Sequence, residues 1–330
     1  MKNLKSFQYI LAVAVFVLVS QAVAWGATYT WTGDGGNANW DNPGNWDIGT
    51  NYPGWNWNAN SDIAIIPDTT SLPFAPVANI DITVTTLTIG ANGTLTLGSM
   101  NVSAPTITNN GTVLLDGTQT ITGTVTNSAT SSVQYTGTGN VTPVFGSAYQ
   151  NLTVDSTAIM QIGTATVTVA GTLDNNGVIE TNNTGTIDKS DASGGTFRYS
   201  YTTGNIPALD GYYTLEVTAG THTQTNALSA ANTVTVSAGA TLNLDSFALT
   251  GTNGITNNGT VLLDGTQTIT GTVTNDLAST VQFTGTGNIA PVFGSDYGNL
   301  TVDSTAVLQI GTATVTVAGT LDNNGVIETN

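Results

Sequence analysis

The chain has 330 residues, with only four Lys and Arg against 21 Asp and Glu, a formal charge of −17, and no cysteine. That balance excludes nucleic acid and anionic lipid surfaces as partners, because both need clustered cations to displace counterions. Without thiols there are no disulfides, no thiol catalysis and no cysteine metal sites.

Residues 1–24 read as an export signal. Lys2 and Lys5 give a basic start, an apolar run follows from Ile10 to Val19, and Ala22-Val23-Ala24 offers an A-x-A cleavage site before Trp25. The apolar run is shorter than the ~20 residues that span a bilayer, and no second run of spanning length follows. The expected mature chain is a secreted or cell-surface protein, not an integral membrane protein. It keeps only Lys189 and Arg198 as basic side chains.

Residues 25–80 form a distinct module rich in Trp, Asn and Gly. All six tryptophans lie here: Trp25, Trp31, Trp40, Trp46, Trp55 and Trp57. Ile63, Ile65 and Ile66 predict one short strand closed by Pro67. Residues 81–330 have another texture. VTTLTIG, GTLTLGS, GTVLLDG and NTVTVSAGATLNLD alternate Thr or a small polar residue with Val, Leu or Ile. Period two with β-branched enrichment predicts strands that bury one face. Each run lasts four to six residues before Gly, Asn or Asp interrupts it, and no amphipathic helix pattern follows the leader.

The array contains a long duplication. Residues 107–182 realign on 255–330 at a constant offset of 148, with 11 differences over 76 positions. Tyr135/Phe283, Val141/Ile289, Ile159/Val307 and Met160/Leu308 nearly preserve volume, as packed interiors require. Ser128/Asp276, Ala148/Asp296 and Gln150/Gly298 change freely and are expected on solvent-facing turns. Asn-Asn-Gly occurs at 109–111, 175–177, 257–259 and 323–325. It is read as a tight turn that uses the tolerance of Asn and Gly for positive φ. The intervals of 66, 82 and 66 residues are near multiples of about 20 to 22, one three-strand coil, so the repeat predicts about seven coils per copy. The fold class expected is all-β: a right-handed parallel β-helix with a Trp-rich N-terminal capping module. About a dozen coils at ~4.8 Å each make a rod near 60 Å long.

The leading module, with Trp31-Thr32-Gly33, Asn39-Trp40-Asp41-Asn42-Pro43-Gly44-Asn45-Trp46 and Tyr52-Pro53-Gly54, resembles the one that begins many bacterial secreted β-helix proteins. These include adhesins of the filamentous-haemagglutinin and autotransporter-passenger type. Phrases such as NLTVDSTA and GTLDNNGVIE resemble their passenger repeats. The resemblance implies a secreted or surface β-helix and carries over no catalytic residue. A membrane barrel or sorting domain, which such proteins place at the C-terminal end, is not recognisable in the sequence. Asn330 stands opposite Asn182, where the first copy runs on into NTGTIDKSDASGG; a fragment and an abruptly ended array both fit. The role implied is structural or adhesive, with cell-surface glycans, proteins or envelope components as partners.

Candidate sites compete with simpler readings. Trp40, Trp46, Trp55 and Trp57 suit stacking on sugars. The preferred reading is that the cluster caps the open helix end, where strand edges and apolar columns need cover. Asp34, Asn37, Asp41 and Asp47 offer oxygen ligands that calcium accepts, against ordinary Asx turns; no other cofactor is expected. Asp188 with Asp191, or Asp210 with Glu216, are carboxylate pairs of the kind a polysaccharide-cleaving enzyme uses. Most acids, however, recur in both copies as turn residues, such as Asp116/Asp264 and Asp155/Asp303, and the chain is read as non-enzymatic. His222, in GTHTQTN, is read as a surface histidine. Thr118-Gln119-Thr120, the run Thr164 to Thr168 and Thr221-His222-Thr223 raise an ice-binding alternative. They fall irregularly, and the strand propensity of Thr accounts for them.

Overall fold

The computed structural model describes residues 26–55, 61–207, 209 and 211–329. The leader, Trp25, Trp57 and Asp210 lie outside them. The chain is a parallel β-solenoid of about 14 turns. A short helical turn lies at Pro43–Asn45.

Each turn visits three faces. In one early turn the first face carries Ile82–Thr83, the second Thr86–Ile89 and the third Thr94–Gly98. The next turn stacks in parallel register, Thr86 beside Thr106 and Thr94 beside Thr112. From there on, partners are 18 to 21 residues apart, as in Thr112 with Ser132 and Leu152 with Leu173. Alternation decides which side chains face inward. In Thr260–Leu263, Val261 and Leu263 are buried while Thr260 and Leu262 face out. Each apolar side chain so buried contributes about 1.5–3 kcal/mol, and the columns of Val, Leu, Ile and Phe form one continuous core.

The Asn-Asn-Gly corners work differently from the expectation. None of their residues has positive φ. At 109, 175 and 257 the first Asn is buried, whereas Asn323 is exposed; Asn109 Nδ2 donates along the rod to Asn127 Oδ1 at 3.0 Å, and its Oδ1 accepts from Gly111 N at 3.1 Å. Asn257 repeats this with Asn275 and Gly259. The glycine is required by proximity. A Cβ on Gly111 would sit 2.2 Å from the Gly93 carbonyl oxygen, and one on Gly259 2.3 Å from that of Ser237.

The duplication does not span a whole number of turns. Ala158–Gln161 lies on the first face, in the eight-stranded sheet between Gly139–Val141 and Val178–Thr181. Its counterpart Ala306–Gln309 lies on the third face, between Gly287–Ile289 and Val326–Glu328. Thr112–Leu115 is likewise on the third face and Thr260–Leu263 on the second. Between segment 106–109 on the second face and its counterpart Gly254–Asn257 on the first, the chain reaches the first face eight times. The offset of 148 residues is therefore about seven and two-thirds turns, not seven. The second copy is turned by a third of a revolution and displaced by about 37 Å along the rod.

Most substitutions between the copies fall where expected. Tyr135/Phe283, Val141/Ile289 and Met160/Leu308 are buried in both, while Ala148 and Asp296 are exposed. Two pairs differ from the reading: Ile159 and Val307 are half-buried and face outward, because they alternate with inward Met160 and Leu308, and Gln150 is half-buried and Gly298 buried rather than on open turns, Gly298 lying close to the Asp276 carbonyl.

Gly111→Ala is expected to cost about 1–3 kcal/mol through forced overpacking of the corner. Urea denaturation should show it, and a midpoint equal to that of the parent would contradict the tight corner.

Candidate functional site

The leading segment is continuous with the rod: Thr28–Thr30 pairs with Ile63–Ile66, which pairs with Thr86–Ile89. The outer edge of Thr28–Thr30 is not free. Asp47 N donates to Thr30 O at 3.0 Å, Thr30 N donates to Asp47 Oδ1 at 3.0 Å, and Trp31 bridges Trp46 antiparallel. The chain that returns through Asn45 to Asp47 thus covers the first strand, as an edge in this position requires.

Beneath it the tryptophans form an edge-to-face cluster. Trp46 meets Trp31 at 5.1 Å and 90°, and Trp40 at 4.7 Å and 74°. Every indole N–H is used: Trp31 donates to Phe74 O at 2.8 Å, Trp40 to Pro53 O at 3.3 Å and Trp46 to Trp40 O at 2.9 Å. Trp40 is 0% exposed and Trp46 is equally enclosed. This corrects their reading as sugar-stacking residues, since neither presents a ring face to solvent. Trp55 is the exception at 56% exposure, its ring edge-on to Tyr52 at 5.5 Å. Two of the four oxygen-bearing side chains of this loop are tied up internally. Asn37 Oδ1 accepts from Asn39 N, Asn42 Nδ2 and Asn45 Nδ2, and Asp47 Oδ1 holds Thr30 N. Asp34 and Asp41 are engaged only through their backbone N–H, to Thr32 Oγ1 and Asn79 Oδ1. No group of three or more His, Asp or Glu suited to a metal ion occurs among the described residues.

The second candidate region is the segment between the copies, 183–254, which holds Lys189, Arg198 and His222. Lys189 Nζ donates to Gly171 O. On the first face Arg198 sits in register between Glu180 and Glu216 and pairs with Glu216 at 2.9 Å. Both are about a quarter exposed, so solvent limits the pair to about 0–1 kcal/mol. Asp188 Oδ1 accepts from Val169 N, and Asp191 accepts from Asn175 N, Ser193 N and Ser193 Oγ. The proposed carboxylate pair is thereby spent on backbone amides, and Asp210 lies outside the described residues.

His222 is the clearest correction: it is buried at 0% exposure, not on the surface. Thr221 and Thr223 face outward, and strict alternation turns the residue between them inward. Its Nε2–H is shared between the carbonyls of Tyr201 and Ala219, each at 3.1 Å, which leaves Nδ1 unprotonated and without a protein partner. Tyr201 packs edge-on at 4.6 Å. Gly204, beside His222 in register, leaves room for the Tyr201 ring. A small, water-sized cleft of about 30 Å³ opens next to this group, lined by Thr181, Thr186, Tyr199, Tyr201 and Asn205 among others. Burial raises the buried tyrosines: the Tyr135 phenol is pushed up to about 12, and that of Tyr199 well above the usual value.

No family model, curated protein or solved structure matches the chain. No helix among the described residues is long and apolar enough to cross a membrane.

Trp40→Ala is expected to destabilise the N-terminal turns by about 3–5 kcal/mol, whereas Trp55→Ala should stay within about 0.5 kcal/mol of the parent. Hydrogen exchange at Thr28–Ile66 separates the two. Burial holds His222 below its ordinary pKa, so the fold prefers the neutral ring. The unfolded chain takes up a proton as pH falls through about 6.5, and stability should be full above that value and decline below it. Melting curves between pH 7.5 and 5 should show this slope, and His222→Gln should flatten it.

Proposed function

We propose that the chain is a non-enzymatic, secreted or cell-surface rod of the adhesin-like kind, which works by presenting repeated outward patterns to surface glycans, proteins or envelope components. The observation that carries this reading is the rotated duplication. The same outward side chains, Thr112, Leu114 and Gln134 on the third face and Thr260, Leu262 and Gln282 on the second, point in directions a third of a turn apart. A rod with such a surface contacts two partner molecules, or one partner twice, without a deep pocket at either site. The acids add to this: Asp155 and Asp303 each accept from the glutamine of the preceding turn, Gln134 and Gln282, and so serve as repeated surface structure. Linking two weak sites on one rigid body raises overall avidity by about 10²–10⁴.

A second reading, glycan binding at the leading segment, is favoured by the exposed Trp55 beside Tyr52 and would not involve Trp40 or Trp46.

The test is binding of the full chain to envelope fractions and immobilised surface glycans, with Gln134→Lys and Gln282→Lys singly and together. Under the display reading each single variant loses the avidity gain and the double variant loses binding altogether. Full binding by the double variant with loss in Trp55→Ala moves the site to the leading segment. Release of sugars from a polysaccharide by the parent chain would overturn the non-enzymatic reading.

A further inference from the structure

The stacking register assembles a threonine lattice that no single stretch of sequence displays. On the second face, Thr86, Thr106 and Thr124 stand in one column, and Thr88, Thr108 and Thr126 in the next. All six face outward, exposed or half-buried. Two turns beyond, Thr166 and Thr168 repeat the spacing on this face, with Ala148 beside Thr168 in the turn between. The Thr-x-Thr runs conspicuous in the sequence are mostly not part of it; only Thr166 and Thr168 belong.

Strand propensity alone does not produce this. The third face of the same three turns faces the same demand and carries Thr94, Thr96, Thr112, Leu114, Ser132 and Gln134. The parallel strands of the second face also carry no charge from Thr28 to Thr168 on a strongly acidic chain, and Asp188, exposed beside Thr168 in the next turn, ends this stretch. Its hydroxyls are unspent: none of the six has a hydrogen-bond partner in the protein. Elsewhere Thr136, Thr157 and Thr218 donate theirs to carbonyls of the preceding turn.

We infer that this face binds ice. Neighbouring columns repeat at about 6.6 Å along the strand and rows at about 4.8 Å across it, a two-dimensional spacing of the same order as the water-oxygen repeat on an ice crystal. Each methyl obliges the adjacent water to keep its hydrogen bonds with other water, and each hydroxyl anchors one water as donor or acceptor. The layer so held is an extension of the crystal lattice. Charged groups, which would orient water radially, are missing from the two columns formed by the six threonines.

The experiment is partition of the full chain into slowly growing ice, with serum albumin as the bystander, followed by a recrystallisation assay. The chain should concentrate in the ice while albumin stays in the liquid. Thr108→Tyr, at the centre of the lattice, should fall to the albumin level, and Thr153→Tyr on the third face should partition like the parent. Thr126→Lys serves as the second lattice variant, with circular dichroism reporting the fold of each. Exclusion of the parent chain from ice, or incorporation of folded Thr108→Tyr and Thr126→Lys at the parent's level, overturns the inference.

Discussion

Everything in this molecule follows from stacking one turn on the next in parallel register. The backbone ladder places each residue about 4.8 Å from its equivalent in the neighbouring turns, so like side chains must tolerate one another in columns. Val, Leu and Ile do so inside, and Thr, Asn and Gln do so outside. Charges of one sign do not, which accounts for a chain in which 8% of residues are charged and a single ion pair joins neighbouring turns among the described residues. Where a polar side chain is drawn inward, it bonds to a side chain or a backbone carbonyl nearby, as Asn109 does with Asn127 and Gln224 with the Ala248 carbonyl.

The same constraint explains the rotated duplication. Its three faces are short strands with inward apolar columns, and its corners are set by a buried Asn and a Gly that fits close to the turn below. A stretch of sequence that builds one face can then build another. Val261 and Leu263 pack between Leu242 and Phe283 on the second face, although Val113 and Leu115, their equivalents, belong to the third. Duplication of such a chain need not respect whole turns, and here it did not.

The unduplicated parts carry the departures from regularity. At the leading end, three enclosed tryptophans and the return of Asn45 to Asp47 finish the first strand. Between the copies, Tyr201, Gly204 and His222 replace the usual apolar column by an aromatic and polar group with one nitrogen left unmatched. The regular parts offer extended surface, and the irregular parts offer shape.

Much of the architecture was legible locally. Period-two runs, frequent Gly and Asn, and a repeat near twenty residues specify a parallel β-solenoid, because strand alternation and coil length are properties of a few dozen consecutive residues. The inward position of His222 was also present in the alternation with Thr221 and Thr223; its polarity drew attention away from its phase. Several things were not legible. The enclosure of Trp31 and Trp40 depends on Phe74 and Pro53, which are 43 and 13 residues away in the chain. The role of Gly111 depends on the backbone of the turn below it. Which face a strand occupies depends on the summed lengths of the preceding turns, which within the array vary between 18 and 21 residues, so small local differences accumulate into a third of a revolution over 148 residues. The sequence by itself thus determined the strands, the corners and the kind of stack. Only the tertiary structure decided which residues become neighbours across turns, because register is a sum over the chain and no local pattern contains it.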